Sequence, residues 1–158
     1  MDTRAFAAVA LFIGLSAGNA MAGQSGSIDQ PVAVRASTLQ WQDAVGFTKG
    51  ARLAVVYGDM TKPGPFVARL ALPANFKIAP HWHSKAEYLS ISSGSLRLGQ
   101  GDRYDLTDAA LFGAGDFLYQ PAGHRHFLLT TEPTVVELYG SGPFDINYIN
   151  AADDPRHG

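Results

Sequence analysis

The 158-residue chain contains no cysteine. Disulfides, thiolate nucleophiles and cysteine-ligated zinc or iron–sulfur centres are therefore excluded. Charge is scarce as well: 16% of residues are charged and 46% are apolar, too apolar a balance for a disordered polar chain. A basic excess is missing, with 12 Lys and Arg against 14 Asp and Glu. Nothing is left over to neutralise a phosphate backbone, so nucleic acid is excluded as a partner. Neither a Gly-x-Ser-x-Gly elbow nor a glycine-rich phosphate loop occurs, and serine hydrolysis and phosphate cradling lack their motifs. After residue 22 no apolar run is long enough to span a bilayer, and no helix-period segment of ordinary length appears.

What is present is glycine and proline, 17 and 9 residues, set between short apolar runs. Such punctuation points to an all-β domain, and the length is that of one domain. The first residues read as an address. Met1 to Arg4 precede an apolar run over 5–17, and Ala20-x-Ala22 follows. This is the pattern of a secretory signal peptide. It predicts cleavage after Ala22 and a periplasmic or secreted location; a buried or disordered N-terminal helix is the other reading. Residues 23–49 then read as a leader and N-terminal arm, 50–150 as the β domain, and 151–158 as a polar tail.

Within the domain, strands are expected over 51–57, 66–72, 78–83, 87–92, 95–98, 117–120, 126–131, 135–139 and 144–149. Phe66, Ala68, Leu70 and Leu72 share one face. Ser93-Gly94 reads as a hairpin turn, and 126–131 with 135–139 as an antiparallel pair around Glu132-Pro133. Residues 106–114 lack alternation and read as a loop or one helical turn.

Without thiolates, the five histidines are the only nitrogen ligands for a transition metal. Four of them fall in two clusters, His81-Trp82-His83-Ser84-Lys85-Ala86-Glu87 and Pro121-Ala122-Gly123-His124-Arg125-His126. On a strand, residues two apart project to one face, so His81 and His83 can reach one point. Glu87 has the same parity and can approach that point across a short bend. Two imidazoles and a carboxylate suit a divalent first-row metal. The second cluster can supply a further ligand from across the domain. A His-x-His pair alone is also what a strand surface shows; the two clusters together are more specific.

The two clusters resemble the two motifs of the cupin superfamily. His81-x-His83-x3-Glu87-x6-Gly94 is similar to the first, and Gly115-x5-Pro121-x-Gly123-x2-His126 to the second. Two positions depart from the pattern. Asn75 stands where the first motif usually opens with glycine, and asparagine tolerates the positive φ that glycine offers. Thr130 stands where the second often closes with asparagine. The resemblance implies a small single-domain cupin, a jelly-roll β-barrel of antiparallel strands open at one end. It implies His81, His83, Glu87 and His126 as ligands to one divalent transition metal, whether manganese, iron, nickel, copper or zinc. Such a ligand set leaves positions free for water, oxygen or substrate. It also implies a small-molecule substrate or ligand and, by analogy with other small cupins, a homodimer paired through edge strands or the arm at 32–41.

Tyr119, on the strand leading into the second motif, and His124, two residues before His126, are the candidate catalytic groups. The alternatives are a structural tyrosine and a turn histidine in solvent. Tyr88, Tyr139 and Arg69 are further polar candidates. Leu89, Ile91 and Leu128 share the ligands' parity and are expected to line the interior. The expected function is a metal-dependent enzyme on a small organic molecule, of dioxygenase, isomerase, lyase or decarboxylase type. The rival is a non-catalytic metal- or ligand-binding module.

Overall fold

A computed structural model describes residues 30–157. The expected signal peptide lies outside the described residues. The strands are β1 (Gln42–Asp43), β2 (Arg52–Tyr57), β3 (Gly64–Leu72), β4 (Lys77–Trp82), β5 (Glu87–Ser93), β6 (Ser95–Gln100), β7 (Ala110–Gly113), β8 (Phe117–Gln120), β9 (His126–Thr130), β10 (Thr134–Gly142) and β11 (Asn147–Tyr148). They form a six-stranded sheet, β1-β2-β3-β10-β5-β8, and a five-stranded sheet, β11-β4-β9-β6-β7. The rest of the described chain holds three short 3-10 segments. No described helix is long and apolar enough to cross a membrane.

Alternation sets the core. Phe66, Ala68, Leu70 and Leu72 of β3 all face inward and are buried. They meet Leu96, Leu98 and Leu128 of the opposite sheet in one cluster. Fully burying a side chain of this size stabilises the fold by about 1.5–3 kcal/mol. In the arm, Ala44 and Gly46 are buried, whereas residues 32–38 lie exposed.

The all-β fold matches the expectation, with corrections. The ladders do not close into a barrel; the described strands form two facing sheets. Ser93-Gly94 turns no hairpin, because β5 and β6 lie in different sheets. Residues 131–133 likewise carry the chain from β9 in one sheet to β10 in the other. Alternation says which side chains face inward, and it is the same for a turn within a sheet as for one between sheets. The two crossings pack together. Gly94 has φ +78°, and a Cβ there would collide with the Pro133 carbonyl oxygen.

β7 forms where no strand was expected. It pairs only with β6, at a sheet edge, and Ala110 and Leu111 are both exposed. An edge strand without one covered face shows no alternation. The strand expected over 144–149 shrinks to β11, since Phe144 and Asp145 turn toward the histidines.

Both departures from the motif pattern meet at the start of β4. Asn75 takes φ 57°, and its N–H donates to the Thr130 carbonyl at 3.0 Å. The Thr130 hydroxyl accepts from the Phe76 N–H at 2.8 Å and donates to the Pro73 carbonyl at 2.5 Å. This joint fixes where β4 begins, and β4 ends at the site.

Candidate metal centre

Three strand ends converge on one point. His81 lies near the end of β4 and His83 just beyond it, while β9 begins at His126 and β5 at Glu87. The ladder sets His126 directly across from His81. All four side chains are buried, each at most 7% exposed. One ring nitrogen from each of His81, His83 and His126 lies within 4.8 Å of the other two.

The backbone orients each ring. Nδ1 of His81 lies 2.7 Å from the Ala79 carbonyl, that of His83 2.5 Å from the Asp145 carbonyl, and that of His126 3.1 Å from the His124 carbonyl. A carbonyl only accepts, so each Nδ1 carries a proton and each neutral ring presents a bare Nε2 lone pair. The Glu87 carboxylate sits 3.5 Å from His83 Nε2 and 3.3 Å from His126 Nε2. Yet His83 Nε2 and Glu87 Oε2 are buried without a hydrogen-bond partner. Orphaned buried groups are costly. Lone pairs and a carboxylate aimed at one point repel one another until a cation lies between them. Three imidazoles with a carboxylate nearby, each ring tied by its far nitrogen, are a donor set for a first-row metal. The residues fit a metal ion.

Electrostatics follow the geometry. Burial, reinforced by His126 and His83, lowers the His81 pKa to about 3. Burial opposes charge on His83 too, but Glu87 and the Asp145 carbonyl outweigh it and raise its pKa. Burial would raise Glu87, yet a proton on the Nε2 of His126 or His83, the place a metal ion would take, outweighs burial and holds the carboxylate well below its usual range. The Asp145 carboxylate accepts from the Ser84 N–H at 2.8 Å and from Asn147 Nδ2 at 2.9 Å. Those bonds fix the carbonyl that orients His83, and the Phe144 ring stacks on His83 at 4.7 Å.

A family model for the cupins matches residues 61–147, more than half of the chain. The chain belongs to the cupin family. No curated protein matches it. Among solved structures, the polyketide cyclase RemF from Streptomyces resistomycificus shares 15% identity at a TM-score of 0.65, over 80% of this chain and 90% of that one. An acetylacetone dioxygenase from Acinetobacter johnsonii shares 13% at 0.60, over 83% and 85%. An RmlC-like cupin from Shewanella frigidimarina shares 12% at 0.56, over 71% and 91%. At these identities the likeness concerns the fold.

In this cupin the histidines open into a cavity of about 100 Å³ between the two sheets. Leu89 and Leu128 line it, as parity predicted; Ile91 is buried in the core beside it. The arm closes one side through Ala44, Val45 and Phe47, held by a hydrogen bond from the Tyr148 hydroxyl to the Gly46 carbonyl at 2.8 Å.

The two candidate catalytic groups are not brought into it. Tyr119 is 51% exposed on the outer face of its sheet, beside Tyr88 at 5.0 Å between rings. The register explains this: Gln120 faces Glu87 and points inward, so Tyr119 faces Tyr88 and points out. His124 is exposed in the turn before β9 and reaches the site only through its carbonyl, at His126 Nδ1. Arg69 and Tyr139 lie on the outer face too, both bonded to Glu137 at 2.8 Å. Sequence reasoning missed Asp145, Phe144 and the buried Gln120. Only Gln120 left a signal, its parity with the apolar Leu118.

Proposed function

We propose that this cupin is a metal-dependent enzyme acting on a small organic molecule, with one divalent transition metal held by His81, His83, Glu87 and His126. The observation that carries the reading is three buried imidazoles, each with Nδ1 bonded to a carbonyl, facing an unpartnered carboxylate oxygen. When bound, the metal supplies Lewis acidity or a centre for oxygen. The chain's own residues hold it and shape the space beside it: Leu89, Leu128 and Phe144 exclude water, and Asp145 keeps the His83 ring aimed. An acetylacetone dioxygenase and a polyketide cyclase among the structural relatives support small-molecule chemistry, with a dioxygenase first among the types. The N-terminal pattern supports export to the periplasm or beyond with cleavage after Ala22.

A binding module is the second reading, and one observation favours it. Among the described residues, the only titratable residue lining the cavity besides the four proposed ligands is Asp145, whose carboxylate is bonded to Ser84 and Asn147. Protein purified from the cell envelope should carry close to one transition metal per chain by elemental analysis. The double variant His81→Ala with His83→Ala should lose that metal and still melt cooperatively. Absence of metal, with no uptake of manganese, iron, nickel, copper or zinc, overturns the proposal. Metal without oxygen uptake or product across a panel of small carbonyl compounds decides for the binding module.

A further inference from the structure

The cavity beside the histidines is small and almost wholly apolar. Leu53, Leu70, Leu89, Leu128, Val136 and Phe144 are among the apolar residues of its walls. A volume of about 100 Å³ accepts an apolar group of roughly four to six non-hydrogen atoms. What it lacks is a cation. Among the described residues no lysine or arginine lines it.

Basic side chains on the strands and loops around the site are engaged elsewhere: Lys77, four residues before His81, lies over the Tyr104 ring at 4.1 Å. Lys85 donates to the Gly142 carbonyl at 2.5 Å, Arg125 pairs with Asp102 in an exposed loop, and Arg69 pairs with Glu137 on the outer face. Glu87 is the charged group among the histidines, while the Asp145 carboxylate is bonded to Ser84 and Asn147 and its carbonyl meets His83.

A divalent ion beside Glu87 leaves one positive charge, since the three imidazoles are neutral. One anionic oxygen chelate balances it. A second carboxylate on the same ligand would be desolvated against leucine side chains with no partner. We infer that this cupin selects small ligands that chelate through oxygen with at most one negative charge and carry apolar substituents, and that it discriminates against carboxylates. The inference rests on the metal reading above and names the substrate class for that site.

The test uses two hydroxamates of one shape and one chelating head. In 4-methylpentanohydroxamate the tail ends in an isopropyl group; in succinic monohydroxamate a carboxylate replaces it. The full-length mature protein is loaded with Co(II), and each probe is titrated while the visible cobalt bands are followed. The branched alkyl probe should bind at least about tenfold more tightly, the least expected for leaving one charge unpaired in an apolar wall. Equal or tighter binding of the carboxylated probe, with cobalt bands present, overturns the selectivity and leaves the metal reading standing. Failure of the protein to develop protein-bound cobalt bands at all overturns the metal reading, and the selectivity with it.

Discussion

Asn75 at φ 57° is the one described non-glycine residue in the left-handed region. Asparagine enters that region at low cost, whereas a β-branched residue does not. Asn75→Gly should therefore keep stability within about 1 kcal/mol, while Asn75→Val should lose about 1–2 kcal/mol or more by urea denaturation. At this scale the site was partly legible. His81 and His83 stood out because a strand's period of two places them together, and His126 because it fills a matching motif position. Tyr119 has the opposite parity to Gln120, which faces Glu87, and so lies on the outer face. The partners of the three Nδ1 atoms could not be read at all: they are carbonyls of Ala79, Asp145 and His124, and every residue has one.

Between elements, pairing was harder to see than the elements themselves. β8 matches its expected range, and β3 and β5 match within two residues, because each has one buried and one open face. Which sheet each joins depends on tight crossings such as Gly94, and these leave no mark in alternation. The C-terminal segment shows a second kind of hidden link. Arg156 donates to the Ile146 carbonyl at 3.0 Å and to Asp154 Oδ2 at 2.7 Å, so the segment clasps the loop that carries Asp145 and Ile146 to the cavity. Hydrogen bonding from Arg156 lowers the Asp154 pKa from 3.8 to about 2. A depressed pKa gives stability that is present above the unfolded value and lost as pH falls through the folded one. Asp154→Asn should thus melt below the wild type at neutral pH, and the gap should close as pH falls from about 4 to about 2.

Across the whole molecule, both sheets contribute to one centre: Glu87 comes from the six-stranded sheet, and His81 and His126 from the five-stranded one. An ion there ties the two layers together and binds only the folded state. Metal at about 100 times its Kd should raise stability by about 2.7 kcal/mol, on the order of 10 °C in Tm, and a chelator should reverse the rise in a melting scan. The ladder that sets His81 opposite His126 sets Trp82 between two of the ring-bearing positions, half-buried. The chain has only one other tryptophan, Trp41 in the arm. An indole so placed makes the centre its own optical gauge, in which occupancy by an open-shell ion is written in the protein's native fluorescence without any added label.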